Sequence, residues 1–431
     1  MYLVVGGTAV LLVIILMVTG IAPGLLTDAE KGGSFSMWGL ESNDAWKKII
    51  EPFNAGRAGN TAIDIRYSEM NEATVETNLI NVLASSKPPD LLVVPSTMLT
   101  RQKNKFRAAP VGILNNTTIQ ANYSDAVSFF QVKTASGPTV MGIPIYGDAL
   151  MLYSNNDILS RHLIPNPPVT WDDFLTMARE TTEKDRAGNI IVSGAAMGRA
   201  DNISHADRIM EALFLQFGEP IITESGKVVF AEPNDETKEV VASPAASALQ
   251  FFLDFGNPRK TSYTWSSTLP EARTLFLNGK LTFYIGFMSE YKKLITQNPH
   301  LDIRVSMIPQ LARAPRPVTT GTMYALMVPA RAQNSIHAWT FASYMTNQWA
   351  SEAIAQSIGL MPPLRGTVLK YKSDPVKSVF ANSVFAMKLW QNPAPEKVRT
   401  IFKSMIQNAS SNRDSLTSIL SDTRARLREA Q

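Results

Sequence analysis

Apolar and polar positions switch between two periods over the first part of the folded body. The strand-like run "SFSMWGL" (34–40) gives way to a helical pattern over 42–56, with Ser42 or Asn43 as N-cap and Gly56 near its end. A second strand pattern covers 62–70. An amphipathic helix over 71–86 then sets Val75, Leu79, Val82 and Leu83 on one face. The run 89–96 is apolar enough to be buried on both sides. Strand-helix-strand-helix-strand predicts a parallel sheet with helices on both faces. Ligands of such sheets sit at the carboxyl ends of the strands. The pattern places Trp38, Gly39 and Glu41 there, and likewise Ser68, Glu69 and Asn71.

The stretch "GIPIYGDALMLYSN" (142–155) reads as a buried strand with a fault at Tyr146, Gly147 and Asp148. A glycine and a carboxylate inside such a run weaken a plain core strand, so the segment needs a reason beyond core packing. Further on, a proline-rich turn precedes a helix capped by Thr170, with Asp173 completing a capping box. Helical patterns follow near 205–217, 241–255 and 270–278, with strand patterns over 281–289 and 321–329. A long helical stretch covers 335–359, and 376–431 is mainly helical.

Residues 2–26 carry no charge and, at about 1.5 Å per residue, are long enough to span a bilayer. A buried helix and a cleaved signal peptide compete with that reading. The length, and the lack of a small-x-small site before Asp28, favour an uncleaved transmembrane anchor, with residues 1–31 as anchor and linker. No Lys or Arg precedes the span, which points to a start upstream.

At 431 residues the chain exceeds one ordinary core, so two domain-sized bodies are predicted. A net charge of +4 without a basic cluster argues against nucleic acid. The absence of cysteine excludes disulfides, thiolate metal sites, Cys nucleophiles and a lipid-modified cysteine. His162, His205, His300 and His337 form no i,i+4 pair, and no phosphate-binding or nucleophile motif occurs, so neither a metal nor a cofactor is expected. A glycosidase carboxylate pair has no fixed spacing, and an enzyme therefore stays open. The aromatic residues Trp38, Tyr146, Tyr263, Trp265, Phe287, Tyr324 and Trp390 could serve as platforms for the apolar face of a sugar ring, or as plain core.

Seven phrases, in order, resemble the family 1 extracellular solute-binding proteins of bacterial ABC importers, the maltose-binding-protein-like group. They are "FSMWGLESNDAWKKIIEPFN", "NLINVLASSKPPDLLVVPS", "GIPIYGDALMLYSNNDIL", "PPVTWDDFLTMARETTEKD", "YTWSSTLPEARTLFLNGKLTFYIGFMSEY", "GTMYALMVPA" and "GLMPPLRG". The resemblance implies a two-lobed periplasmic-binding-protein-like α/β fold of type II with three interlobe crossovers. The lobes would be 32–144 plus 322–360 and 145–321 plus 361–431, following the transmembrane helix. It implies a cleft that binds solute through Trp38, Glu41, Asn71, Tyr146, Asp148, Trp265, Phe287, Met288, Tyr324, Met361 and Arg365. Gly147 would ease the chain through its hinge.

The implied function is capture of a mono- or oligosaccharide outside the cytoplasm, without covalent change, for the transmembrane subunits of an ABC permease. The N-terminal helix would hold the protein at the cell membrane. Thr322 and Met323 depart from a family segment that often reads Gly-Gly-Trp. The competing readings are the same fold with a peptide or polyamine, a carbohydrate-active enzyme, and a surface interaction protein.

Overall fold

Strand β1 (Ser34–Gly39) lies between β2 (Asp64–Glu69) and β3 (Leu91–Pro95), parallel to both, as the alternating pattern predicts. Helix α1 (Asn43–Ala55) starts where the Ser42 hydroxyl accepts from the Ala45 amide, and it buries Trp46, Ile49 and Phe53. Helix α2 (Val75–Ala84) buries Leu79 and Leu83. All five residues of β3 are buried, which explains its unbroken apolar run. The computed structural model describes residues 33–56, 62–71, 75–110, 112–114, 116–134, 137–223, 225–232, 243–392, 394–411 and 414–431. The anchor expected within residues 1–31 lies outside them. Among the described residues no helix is long and apolar enough to cross a membrane.

Five further strands continue the sheet: β4 (Ile143–Asn155), β5 (Ile190–Ala195), β6 (Leu281–Phe287), β7 (Ile303–Met307) and β8 (Gly321–Pro329). Strand β8 runs antiparallel to β3 on one side and to the first half of β4 on the other. The second half of β4 has both edges taken, by β6 and by β7. With two short strands, Phe106–Arg107 against β8 and Glu183–Lys184 against β5, these strands make one continuous ten-stranded sheet, and β4 and β8 are its link. Along β4 every residue is buried except Asp148, which is half-buried.

Helix α3 (Trp171–Glu180) opens with the predicted Thr170–Asp173 capping box. Helices α4 (Ala206–Phe217) and α5 (Pro244–Asp254) fall within the predicted stretches. The stretch expected as one helix over 335–359 is two, α6 (Ser335–Tyr344) and α7 (Gln348–Ser357). Asn347 breaks it, because its side chain caps the second helix at the Trp349 amide. The C-terminal part holds α8 (Arg365–Lys370), α9 (Lys377–Phe385), α10 (Pro395–Ser410) and α11 (Leu416–Glu429). Between α9 and α10 a strap without helix runs along β8's entry. The Thr319 amide donates to the Ala386 carbonyl at 3.1 Å, and the Lys388 amide to the Thr319 carbonyl at 2.9 Å.

Close approach fixes several glycines. A Cβ on Gly194 of β5 would lie 1.8 Å from the Ala178 carbonyl oxygen of α3, an atom of the backbone that cannot swing away. Gly194→Ala should therefore lower stability by about 1–3 kcal/mol, the usual cost of overpacking. Its urea midpoint checks this; a midpoint equal to wild type would show that α3 separates from the sheet at no cost.

Candidate functional site

Three chain segments meet at Gly147. Its amide donates to the Met361 carbonyl at 2.9 Å, and on β8 it faces Met323. The expectation that glycine serves here as a flexible joint gives way to a tighter reason. Gly147 is not among the positive-φ residues, and a Cβ would sit 3.0 Å from Val384 and 3.2 Å from the Met387 sulfur. Gly321 is constrained likewise, with the Asp148 carbonyl 2.3 Å from where its Cβ would be. Glycine lets the backbones touch.

Beside this crossing lies a narrow cleft. Ser96 and Thr97, which follow β3, form one wall; Arg208 and Glu211 of α4 form the other, with Gly321 at the base and Leu389 and Trp390 of the strap closing it. The cavity between them is about 20 Å³. Arg208 donates to Glu211 Oε2 at 2.7 Å and to the Gly321 carbonyl at 2.9 Å. Its guanidinium lies 5.8 Å from the centre of the Phe287 ring. Glu211 is 3% exposed and also accepts from the Thr320 hydroxyl. Neither charge is left alone, and both side chains are held in place before any ligand arrives.

Asp148 sits behind this wall. Its Oδ1 accepts from the Ser289 amide at 3.0 Å. Burial pushes its carboxyl up to about 6; the hydrogen bonds from Ser289 oppose that push, nearby Glu290 adds to it, and His205 offsets it. The sequence places no histidine with a carboxylate, yet in the structure His205 Nε2 meets Glu290 Oε1 at 2.8 Å. The Tyr284 hydroxyl donates to Glu290 Oε2 at 2.7 Å and the Phe287 amide to Oε1 at 2.8 Å. Burial alone would raise Glu290; the bonds from His205 and Tyr284 outweigh it and hold the carboxyl below its ordinary value. Among the described residues no group of His, Asp and Glu is arranged to hold a metal ion.

The eleven expected residues fare differently. Phe287 is half-buried at the end of β6, with the edge of the His205 ring against it at 5.0 Å. Tyr324 is half-buried, and its ring packs on Tyr146 at 5.0 Å. Trp38 is half-buried at the end of β1, and Asn71 is exposed.

Five are covered. Tyr146, expected as an open platform, is 1% exposed, and Glu41 is fully buried. Glu41 Oε2 accepts from Trp46 Nε1 at 2.9 Å; burial pushes its carboxyl up, and the bonds it accepts oppose that. The Tyr146 hydroxyl shares this enclosed place and faces the Glu41 carboxyl. Trp265 is a correction: it is fully buried, its indole N–H on Asn202 at 2.8 Å, and it offers no surface to a ligand. Met288 and Met361 are buried in the core. Arg365 is exposed; its Nε donates to the Ala121 carbonyl and its guanidinium lies 5.0 Å from the centre of the Phe385 ring.

Ser96, Thr97, Arg208 and Glu211 were missed. The i,i+3 spacing of Arg208 and Glu211 within a predicted helix is the one signal for them, and many solvated helix faces share it. Trp390, set apart from the sequence only as one aromatic among seven, is at the cleft.

The bacterial extracellular solute-binding protein family matches residues 39–348. A binding protein of Brucella abortus (strain 2308) is 21% identical over 313 residues, 72% of this chain and 70% of that one. Among solved structures, the cyclic alpha-maltosyl-1,6-maltose binding protein from Arthrobacter globiformis is 14% identical with a TM-score of 0.72, over 92% of this chain and 98% of its own. The sugar-binding protein from Xanthomonas citri is 14% identical with a TM-score of 0.70, over 92% and 97%. The maltotriose binding protein of Thermus thermophilus is 20% identical with a TM-score of 0.61, over 92% and 99%. These likenesses show the two-lobed α/β fold of periplasmic binding proteins. With the match covering most of its length, this chain belongs to the bacterial extracellular solute-binding protein family.

Proposed function

We propose that this chain captures a carbohydrate in the cleft between its lobes and hands it, chemically unchanged, to the transmembrane subunits of an ABC importer. The observation that carries this is the cleft itself, which Ser96, Thr97, the fixed Arg208–Glu211 pair and Trp390 line together. Planar charged groups and hydroxyls suit a rim of sugar hydroxyls, and an indole suits the ring's C–H face. Similar folds bind maltotriose and other sugars, which supports the reading.

The lobes are 32–144 plus 322–360 and 145–321 plus 361–431, with three crossings near 145, 322 and 361; the backbone pairing of Gly147 with Met323 and Met361 supports this. Solute touching both walls would favour the closed arrangement, a population shift set by contacts that exist only there. The uncharged segment 2–26 would tether the protein on the outer face of the membrane.

Thermal unfolding against a panel of sugars, with peptide and polyamine controls, tests the reading. A ligand at about a hundred times its dissociation constant adds roughly 2.7 kcal/mol to the folded state, so a bound sugar raises the midpoint. A rise with the controls alone would replace the solute. Trp390→Ala should weaken sugar binding about tenfold, about 1.4 kcal/mol, with the midpoint of the free protein little changed. Wild-type affinity in that variant would remove Trp390 from the site.

Asp148 makes a separate prediction. Its carboxyl titrates near 6 in the folded chain against an ordinary 3.8, so its neutral form is favoured by folding. That contribution is complete below about pH 4 and is lost as pH rises through 6. Asn keeps an oxygen for the Ser289 amide. Asp148→Asn should therefore leave stability unchanged at pH 4 and raise it at pH 8, by on the order of 1–2 kcal/mol. Denaturation at the two pH values checks this, and a variant weaker than wild type at pH 8 would refute it.

A further inference from the structure

We infer that the solute is a single uncharged sugar ring, gripped by the Arg208–Glu211 pair, rather than a linear oligosaccharide or an acidic or amino sugar. The inference rests on the carbohydrate reading above and narrows it.

Charge is the first argument. Arg208 and Glu211 are bonded to each other at 2.7 Å, and the pair carries no net charge. A carboxylate on the solute would have to compete with Glu211 for the guanidinium, and an ammonium would face Arg208. A neutral pair of adjacent hydroxyls needs both a donor and an acceptor. The pair presents these side by side, in fixed positions, because the Gly321 carbonyl and the Thr320 hydroxyl hold its two halves.

Size is the second. Successive units of an oligosaccharide need successive platforms, and most aromatic faces near the crossing are already taken. Tyr146 is covered by Tyr324, with ring centres 5.0 Å apart. Trp265 is wholly buried. Phe287 carries the His205 edge and the Arg208 guanidinium. Trp390 is the aromatic residue lining the cleft. Its strap is tied by two backbone bonds to Thr319, which closes the cleft on that side. The cavity of about 20 Å³ lies far below the roughly 300–1,000 Å³ of pockets for drug-sized ligands, so the walls must part to admit even one ring and leave no room for a second.

Isothermal titration of the full chain with three matched sets tests this. The sets are neutral hexoses and pentoses; the corresponding uronic acids and amino sugars; and linear di-, tri- and tetrasaccharides of each hexose. The expected result is binding of a neutral monosaccharide, with its uronic acid and amino sugar at least tenfold weaker and every longer chain weaker still. Tighter binding of a di- or trisaccharide would overturn the single-ring inference and leave the carbohydrate reading standing. Tighter binding of a uronic acid or amino sugar would overturn the neutral one. Failure of every sugar to bind would overturn the carbohydrate reading itself, and this inference with it.

Glu211→Gln supplies a second readout. It keeps an oxygen for Thr320 but leaves Arg208 uncompensated, so preference should move at least tenfold toward the uronic acid. Unchanged selectivity in a folded variant would show that the pair does not read the solute's charge.

Discussion

The close passage of three backbones at Gly147 is the constraint on which the rest depends. Strand β4 belongs to both halves of the sheet, and it changes partners there, from β8 to β6 and β7. A side chain at residue 147 would push against Val384 and Met387 and drive α9 and the strap away from the crossing. The strap carries Trp390, so the same contact that closes the crossing also sets a wall of the cleft. Packing at the hinge and placement of the candidate platform are thus one interaction seen from two sides. Any relative movement of the two sides has to turn about a point where the Gly147 amide is bonded to the Met361 carbonyl and Gly147 lies opposite Met323. Rotation about such a point preserves the bonds and changes the distance between the walls.

Around that point the charged groups are arranged in two ways. Glu211 and Glu290 each have a positive or protonatable partner, in Arg208 and His205. Glu41 has none; it accepts from the Trp46 indole, and burial favours its neutral form. The paired groups lie by the cleft wall and the unpaired one lies under the aromatic floor of Tyr146 and Tyr324. This separation is physically reasonable. A pair costs little to keep charged and rigid next to solvent, whereas an enclosed carboxyl without a cation does best as an acid. A wall fixed in advance loses less freedom when a ligand arrives, which favours affinity without added contact area.

Much of the fold was legible in the sequence because hydrophobic period reports burial directly. The parallel pairing of β1 to β3, the capping box at Thr170 and the fault at Tyr146–Asp148 all followed from pattern. The split of 335–359 was hidden, because Asn347 reads equally as a helical surface residue or as a cap until its neighbours are known. The site was harder. An aromatic residue looks the same in the sequence whether it lines a cleft, as Trp390 does, or packs on another ring, as Tyr146 does on Tyr324. Trp265 sits in a polar-looking turn, and only the distant Asn202 makes its burial acceptable. Arg208 and Glu211 gain meaning from Gly321 and Thr320, more than a hundred residues away, and local spacing carries none of that.

The same contrast explains how chains 14–20% identical keep this fold. The crossing demands small residues and backbone bonds, and those demands are met by many sequences with the same period. The cleft walls bear no such load. Thr97 and Trp390 can change without disturbing the pairing of β4 with β8, so the chemistry of the cleft is free to vary around the crossing. Glu211 is the exception. It lines the cleft, yet through Thr320, and through the Arg208 it shares with Gly321, it is also tied to the entry of β8. Through these bonds Glu211 ties a wall of the cleft to the entry of β8, so that a shift at one is carried to the other.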